Sequence, residues 1–243
     1  MISVEEALKI IENSVQCSTK HEIRPVVDAL NYVLSEDVIS PIDMPPFRQS
    51  SMDGYAVKLH DSLTYKVVDE VKAGDNKQPQ LAAGEAVRIF TGAPVPNAAN
   101  AVVIQEHIQT KDDKITADRK INLQANIRPL GEQISKDEIA LSKGTKLTPA
   151  GIGFLTTLGV RNVKVYCWPK VCIVVTGSEL VSPGEELLFG QIYESNSAML
   201  EAELRRQGYL NVTIKKVPDN YEQTLDVLQA VIEEFDLVLL SGG

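Results

Sequence analysis

Cysteine and histidine are scarce in this chain of 243 residues, with three of each. Cys17, Cys167 and Cys172 are odd in number and lack CxxC spacing, which is typical of reduced thiols in a cytosolic protein rather than of a disulfide framework. We expect Cys167 and Cys172 to lie in or beside a strand. The histidines stand singly along the chain, so they indicate neither a zinc site nor a catalytic pair.

Excess positive charge, a long apolar run and a secretion signal are missing as well. Lys and Arg number 24 against 33 Asp and Glu, and the net charge of −9 argues against a nucleic-acid partner, because phosphate backbones need clustered cations. No apolar run approaches membrane-spanning length, and the N-terminus has neither the basic nor the apolar region of a signal peptide. The sequence therefore predicts a cytoplasmic protein without a membrane partner, in which local amides, a few cations or a metal hold any anionic substrate.

The residues that are present suit a folded protein of more than one domain, with 44% hydrophobic and 23% charged residues. Ser3 and Glu6 have the spacing of a capping box and open a predicted helix over residues 4–15. The apolar residues of this helix recur on one face: Val4, Leu8, Ile11 and Val15. After Pro25 we expect a short helix that leads into an extended segment from Tyr32 to Ile39.

Short β-rich runs separated by Gly, Pro, Asn and Asp fill the middle of the chain. We expect strands at Tyr65–Val71, Ala86–Phe90, Ala101–His107 and Lys114–Ala117. These strands predict a small β domain inserted in the chain. Beyond them, Pro149 opens a short predicted helix that runs through Leu158.

Strands and helices alternate in the last third of the chain, as they do in parallel α/β sheets. The predicted strands are Val171–Val175, Val212–Val217 and Leu237–Leu240. A helix over Ser195–Gln207 joins the first two, and a helix capped by Asp219 or Asn220 joins the last two. We expect four apolar residues of the earlier helix to face inward: Met199, Leu200, Ala202 and Leu204.

The segment from Pro45 to Ala56 places Asp53 on a loop whose shape two prolines and Gly54 restrict. An acidic residue presented in this way suits a functional site. An Asp before Gly also supports an ordinary turn, and residue types alone favour that interpretation. Thr91 lies where a strand runs into a Gly and Pro turn, and it too reads first as part of a turn.

Three polar loops follow the predicted parallel strands directly, at Thr176–Glu179, Pro218–Asp219 and Ser241–Gly243. Ligands bind beyond the carboxyl ends of such strands, so these amides and hydroxyls suit a phosphate, and Glu179 with Asp219 suits a hard cation. Alternatively, Asp219 is only a helix cap and Glu179 only a solvated loop residue. The glycines do not match GxGxxG, which argues against a nicotinamide-binding fold.

Taken together, these segments resemble the molybdopterin molybdenumtransferase family, which includes bacterial MoeA and the E domain of gephyrin-type proteins. The resemblance covers essentially the whole chain, and several independent motifs occur in the family's order. They are PPFRQSSMDGYAV (45–57), GEAVRIFTGAPVP (84–96), NIRPLGEQI (126–134), VTGSEL (175–180), GQIYESNS (190–197) and the final SGG.

The resemblance implies a multidomain α+β and α/β fold. Residues 1–44 and 134–166 would form an N-terminal scaffold and dimerisation domain, with the small β domain inserted at 45–133. Residues 167–243 would form an incomplete three-layer α/β, MogA-like molybdopterin-binding domain.

The activity that the resemblance implies belongs to molybdenum cofactor biosynthesis. Such an enzyme takes adenylylated molybdopterin and molybdate, hydrolyses the adenylate with Mg²⁺ and leaves molybdenum on the dithiolene, with AMP released. The family forms a homodimer with its site between subunits, and the molybdopterin adenylyltransferase is an expected partner.

The resemblance also implies roles for individual residues. Asp53, Thr91, Glu179 and Asp219 would be catalytic, and Glu179 and Asp219 would also bind magnesium. The expected substrate-binding residues are Ser51, Thr176, Gly177, Ser178, Ser241, Gly242 and Gly243.

Two departures from the family pattern affect these expectations. Gln133 stands where the family commonly has an acidic residue, so the resemblance does not carry a carboxylate role over to this position. The sequence stops at SGG, where the family continues, and we therefore expect an N-terminal fragment with an exposed sheet edge that depends on dimer contacts or is unstable.

Two further functions compete with this one. A dimeric scaffold of the same fold would bind the pterin and partners without turnover. A magnesium-dependent phosphotransferase on an unrelated α/β sheet is the other, and the lack of a Walker-type loop argues against it.

Overall fold

The structure is a computed structural model that describes residues 2–15 and 19–242. Its α-helices are α1 (Val4–Ser14), α2 (Pro149–Thr157), α3 (Asn196–Gln207) and α4 (Tyr221–Glu234). The strands of the first half are β1 (His21–Pro25), β2 (Val38–Ile39), β3 (Gln49–Ser50), β4 (Gly54–Val57), β5 (Thr64–Val71), β6 (Glu85–Ile89), β7 (Ala101–Ile104), β8 (Ile108–Lys111) and β9 (Lys114–Ala117). Those of the second half are β10 (Ile127–Arg128), β11 (Ile139–Leu141), β12 (Asn162–Tyr166), β13 (Val171–Thr176), β14 (Leu180–Val181), β15 (Ile192–Tyr193), β16 (Val212–Val217) and β17 (Leu237–Ser241).

Contacts divide the chain into two compact units. The first comprises the chain up to Ser35, Lys146–Thr148 and everything from Lys164 onward, and the second comprises Glu36–Thr145 and Pro149–Val163. The three-part division at residues 44, 133 and 166 stays a prediction. None of the helices in the described residues has the length and apolar character needed to cross a membrane.

The second unit is built around a six-stranded sheet in the order β7-β4-β6-β5-β9-β8, antiparallel except where β5 runs parallel to β6. Alternate residues of its strands point to opposite faces, so the sheet carries two apolar clusters. One contains Ala56, Val87, Ile89 and Val102, and the other contains Val57, Tyr65, Ala86, Ala101 and Ile115. The inserted β-rich region that the sequence predicts therefore folds around its own buried core.

The first unit contains a parallel three-stranded sheet in the order β16-β13-β17. Strand β13 lies in the centre, and its residues from Val171 to Val175 are buried, as a continuous apolar run predicts. The chain passes from β13 through α3 to β16, and then back across the sheet through α4 to β17. Because such crossovers are right-handed, α3 and α4 cover opposite faces, and this part is α/β as predicted.

Several local predictions need correction. After Pro25 the chain forms only a 3-10 turn at Val26–Asp28, because Asn31 takes a positive φ of 68° and breaks any continuing helix. Strand β7 ends at Ile104, and a 3-10 turn at Gln105–His107 replaces its predicted end. In α3, Leu200 and Leu204 are half-buried, in line with the prediction, but Met199 is 63% exposed and Ala202 is also exposed, so these two do not face inward.

Helix α1 begins as the sequence predicts. The Ser3 hydroxyl accepts a hydrogen bond from the Glu6 amide, and the Glu6 carboxylate accepts one from the Ser3 amide. Its apolar stripe contacts no core, since no residue of α1 is buried and Val4 is 76% exposed. The amphipathic spacing predicted the helix correctly, but it did not predict whether other parts of the chain would pack against its apolar face.

Candidate functional site

The residues expected to act fall into two groups, one in each compact unit. Asp53, Thr91 and Ser51 lie in the second unit, and the loops that follow β13, β16 and β17 lie in the first. Gly243 lies outside the described residues, as does Cys17. Cys172 lies in β13 and Cys167 directly follows β12.

In the second unit, Asp53 and Thr91 contact each other although 38 positions separate them. The Thr91 amide and the Thr91 hydroxyl each donate a hydrogen bond to Asp53 Oδ1, both at 2.8 Å. These two bonds, with a smaller contribution from the nearby Arg88 charge, hold the pKa of Asp53 below its ordinary value. Asp53 is therefore an ionised, half-exposed carboxylate with a fixed orientation.

Backbone hydrogen bonds tie the loop of Asp53 to the loop of Thr91. The Ser50 amide donates to Ala93 O at 3.0 Å, and the Gly92 amide donates to Ser50 O at 2.9 Å. Ser51 lies beside them, half-buried, with its amide bonded to Asn126 O at 3.1 Å. Both loops are thus parts of one rigid arrangement.

Gly54 explains why a glycine follows Asp53. An added Cβ would overlap the carbonyl group of Val103 on the neighbouring strand β7, against which Gly54 packs directly. A larger residue would push β4 away from β7 and shift Asp53 with it.

Sequence reasoning missed Arg88, whose side chain is hydrogen-bonded to the backbone directly after Asp53. Its guanidinium donates to Gly54 O at 2.8 Å and to Gln105 Oε1 at 2.8 Å. It also lies 5.1 Å from the ring centre of Tyr55 and 4.7 Å from that of Phe90. The available signal was an arginine inside the apolar run from Ala86 to Phe90.

In the first unit, the three polar loops meet at the carboxyl edge of the parallel sheet. The Asp219 amide donates to Ser178 Oγ at 3.2 Å, which joins the loops after β16 and β13. Gly242 lies so close to Thr176 that an added Cβ would overlap its hydroxyl and carbonyl oxygens. Asn196 Nδ2 donates to Ser241 Oγ at 2.9 Å, which joins the start of α3 to the end of β17.

The two carboxylates of this edge differ in what holds them. Asn220, and not Asp219, caps α4, because the Asn220 side chain accepts from the Gln223 amide at 3.0 Å. The prediction that Asp219 or Asn220 caps this helix is thus confirmed for Asn220, and the alternative that Asp219 is only a helix cap is wrong. The Asp219 side chain is exposed beside the edge. Glu179 is likewise exposed, and its carbonyl accepts from the Ile192 amide at 3.0 Å.

Two cavities flank this edge. One of about 320 Å³ is lined by Gly177, Ser178 and Lys216 among others. The other, of about 280 Å³, is lined by residues that include Thr176, Asp219 and Gly242. Four of the expected substrate-binding residues, Thr176, Gly177, Ser178 and Gly242, thus line concave surfaces at this edge, whereas Ser241 lines neither cavity.

Lys216 and Glu194 are further members of this region that sequence reasoning missed. Glu194 is 5% exposed and accepts hydrogen bonds from the Ser197 amide and hydroxyl at the start of α3. Burial acts to raise the pKa of Glu194, but the bonds from Ser197 and Asn196 and the Lys216 charge outweigh it and lower that pKa. The buried ionised carboxylate fixes the first turn of α3, from which Asn196 reaches Ser241.

A metal at this edge would have few protein ligands. In residues 2–15 and 19–242, no three His, Cys, Asp or Glu side chains are grouped so as to hold a metal ion. Mg²⁺ commonly uses one or two carboxylates and takes its other ligands from water and substrate phosphate, so oxygen donors such as Glu179 and Asp219 suit its chemistry.

Gln133 is exposed in its loop, and its backbone amide donates to Met44 O at 2.9 Å.

Known proteins match both parts of the chain. A family model described as the MoeA N-terminal region (domain I and II) matches residues 2–159, and one described as a probable molybdopterin binding domain matches residues 172–243. The molybdopterin molybdenumtransferase of Haemophilus influenzae is 35% identical over 247 residues, covering 100% of this chain and 61% of the relative. The molybdopterin molybdenumtransferase of Staphylococcus aureus strain MRSA252 is 34% identical over 251 residues, covering 100% of this chain and 59% of the relative.

Solved structures agree with these sequence matches. The molybdopterin biosynthesis MoeA protein of Pyrococcus horikoshii OT3 has a TM-score of 0.90 and 33% identity, covering 100% of this chain and 67% of that one. The chain spans about 60% of the length of the curated relatives it matches. On the strength of matches that run from residue 2 to residue 243, the chain belongs to the MoeA family.

Proposed function

We propose that this chain serves molybdenum cofactor biosynthesis as a molybdopterin molybdenumtransferase, inserting molybdate into adenylylated molybdopterin with release of AMP. The observation that carries the proposal is the carboxyl edge of the β16-β13-β17 sheet, where the loops after β13 and β16 are hydrogen-bonded to each other and the loop after β17 is hydrogen-bonded to the start of α3. The segment that forms this edge matches the probable molybdopterin binding domain.

The loops of this edge are proposed to bind the substrate. Thr176, Ser178 and Ser241 supply hydroxyls, and Gly177 and Gly242 carry no side chain that would keep a ligand away from the backbone. Gly243 is assigned to the same group, and Lys216 is a cation beside it that suits an anionic ligand. Hydroxyl groups and backbone amides can form hydrogen bonds with the phosphates and with the polar edge of a pterin. Such binding does not require a glycine-rich nucleotide-binding motif.

We propose that carboxylate oxygens of Glu179 and Asp219 bind Mg²⁺. When bound, the ion would neutralise phosphate charge during cleavage of the adenylate. The protein's own contribution is positional: Ser178 anchors the backbone of Asp219, and the cap at Asn220 starts α4 directly after it.

Asp53 and Thr91 are proposed as catalytic residues of the other unit, with Ser51 beside them as a substrate ligand. Thr91 keeps the Asp53 carboxylate ionised and oriented, so Asp53 can accept a hydrogen bond or attract a cation at neutral pH. The proposal includes a homodimer with its site between subunits, the molybdopterin adenylyltransferase as partner, and a cytoplasmic location.

The experiment compares carboxylate variants in two assays. The purified chain is titrated with molybdopterin with and without Mg²⁺, and the chain, expressed with whatever follows Gly243 in its gene, is assayed in bacteria that lack their own molybdenumtransferase. Asp53→Asn, Glu179→Gln and Asp219→Asn should lower cofactor formation at least about tenfold, as loss of a charged group in a polar site does.

Glu233→Gln is the matched control, because Glu233 is an exposed acid on α4 away from the edge. It should behave as the unaltered protein. Unchanged cofactor formation in both Asp53→Asn and Glu179→Gln would reject the roles proposed for these carboxylates.

A scaffold that binds the pterin without turnover is a second candidate. The apolar stripe of α1 favours it, because Leu8 and Ile11 are exposed by 54% and 55% as a docking face would be. Tight molybdopterin binding together with no cofactor formation in the bacterial assay would support the scaffold.

A further inference from the structure

A cavity of about 560 Å³ lies in the first compact unit, at the opposite edge of the parallel sheet from the candidate site. Its lining includes Trp168 and Lys170, just before β13, and Tyr209, shortly before β16. Because β13 and β16 run parallel, these residues mark the amino ends of the strands. A strand of this length spans about 20 Å, so the cavity is separate from the loops that follow the strands.

Aromatic rings cluster on the wall of this cavity. The ring centre of Trp168 lies 5.4 Å from that of Tyr32 and 4.7 Å from that of Tyr209, with interplanar angles of 67° and 64°. All three side chains are partly exposed, so the cluster is not part of a sealed core. Trp168 is the single tryptophan of the chain, and rings on a concave surface offer a platform on which a flat ring can stack.

Gly208 makes room for the indole. It ends α3 with a φ of 105°, and an added Cβ would come within 3.3 Å of the Trp168 ring. A side chain at this position would press the indole out of its place on the cavity wall.

Positive charge surrounds the rings. The cavity is lined by three cationic side chains, Arg24, Lys170 and Arg205, and by one carboxylate, that of Asp28. This local excess of positive charge contrasts with the net charge of −9 of the whole chain. Arg24 lies over the Tyr32 ring at 4.4 Å from its centre. An excess of cations at a ring-lined cavity favours an anion that carries a flat ring.

The arginines can bind an anion without giving up their present partners. Arg24 Nε donates to Glu22 at 2.7 Å, and Arg205 Nη2 donates to Glu201 at 2.7 Å. A guanidinium carries five N–H donors, so each retains others for a phosphate. The two ion pairs therefore orient the arginines rather than saturating them.

We propose that this cavity binds a planar heteroaromatic anion of mononucleotide size, with its ring against Trp168 and its phosphate against Arg205 and Arg24. A volume of about 560 Å³ falls within the range of small-molecule sites. This site is additional to the one proposed for molybdopterin and uses none of its residues.

The test uses the fluorescence of Trp168, which reports on this cavity alone because the chain has no other tryptophan. Adenosine 5′-monophosphate is added to the purified chain up to the millimolar range, with excitation at the red edge of the indole band. Saturable quenching is expected. Adenosine, which lacks the phosphate, and ribose 5-phosphate, which lacks the ring, should each bind at least about tenfold more weakly.

Two variants of neighbouring arginines separate a specific site from general charge attraction. Arg205→Gln should weaken quenching about tenfold, the loss expected for one charge-assisted hydrogen bond. Arg206→Gln is the matched control, since Arg206 is 75% exposed, pairs with Glu203 and does not line the cavity. Tyr209→Leu should also weaken binding, with circular dichroism confirming that each variant is folded.

Absence of saturable quenching, or equal quenching in Arg205→Gln and Arg206→Gln, would overturn the proposal. Asp219→Asn should leave the quenching unchanged, because Asp219 lies at the other edge of the sheet. Quenching lost in Asp219→Asn but kept in Arg205→Gln would likewise overturn it, by assigning the nucleotide to the candidate site. Failure here leaves the molybdopterin titration unaffected, so the two proposals are tested independently.

Discussion

Asp53 illustrates how a residue acquires chemistry from a partner distant in the chain. Alone, an Asp before a Gly is a common turn element. Two hydrogen bonds from Thr91 make it a carboxylate with a lowered pKa and a fixed direction. The motif suggests only that Asp53 is exposed on a restricted loop. The structure identifies the donors, the amide and hydroxyl of Thr91, and the acceptor, Asp53 Oδ1.

Thr91→Val should raise the pKa of Asp53 toward its ordinary value. The substitution removes the hydroxyl donor and keeps the amide donor, so the rise should be partial. Carboxyl carbon shifts followed by NMR across an acid titration measure it. Thr110→Val, on the exposed face of β8, is the control and should leave Asp53 unaffected. An unchanged Asp53 pKa in Thr91→Val would contradict the role given to that hydroxyl.

The same contact makes stability depend on pH in a defined direction. Because the folded-state pKa of Asp53 is lowered, its contribution to the free energy of unfolding is present above the pKa of the unfolded chain. It is lost as the pH falls through the folded-state pKa. The difference in denaturant midpoint between the unaltered chain and Thr91→Val should therefore shrink between neutral and strongly acidic pH.

At the scale of elements, glycines have opposite consequences in a strand and in a helix. Gly54→Ala should destabilise the second unit by about 3 kcal/mol, because the new Cβ overlaps the backbone of β7. Gly153→Ala on the exposed face of α2 meets nothing within 4 Å and should instead stabilise by about 1 kcal/mol. Urea unfolding of both variants tests the pair. Equal effects would show that β4 and β7 are not in close contact.

The start of α4 separates a structural residue from a candidate functional one. Asn220→Ala should cost about 1 kcal/mol, since it removes the side chain that accepts from the Gln223 amide. Asp219→Ala should change stability by less than about 0.5 kcal/mol, because its exposed carboxylate caps nothing. Thermal unfolding distinguishes them, and a larger loss for Asp219→Ala would mean that Asp219 is structural.

At the scale of the whole molecule, strand β17 forms one edge of the parallel sheet. In the part of the chain that the structure describes, β17 pairs only with β13, and Leu237 and Leu240 on it are exposed by 40% and 51%. An apolar edge strand is a template for pairing with another chain.

Leu237→Lys should reduce concentration-dependent association of the chain, because a charge on an edge strand opposes strand pairing. Light scattering over a concentration series measures the effect, with Leu123→Lys as the control. Leu123 is 66% exposed on a loop outside the sheets, so that variant should associate as the unaltered chain does. Equal association of both variants would argue against pairing through β17.

Much of the fold was predictable because its signals are local. The capping box at Ser3 and Glu6 requires only neighbouring residues, and the buried run from Val171 to Val175 predicts a central strand wherever it lies. The faces of α1 and α3 were not predictable to the same degree. Periodicity says which residues share a face, whereas burial depends on what the rest of the chain brings against it.

The sequence by itself determined the family, the four α-helices, the longer strands, and the identity of the polar residues at the ends of the parallel strands, since these follow from residue types and short spacings. Only the tertiary structure decided that Thr91 bonds to Asp53, that Asn220 rather than Asp219 caps α4, and that Trp168 meets Tyr32 and Tyr209 beside a cavity. The physical reason is that such contacts join residues far apart in the chain, and their geometry exists only once the sheets are paired and packed.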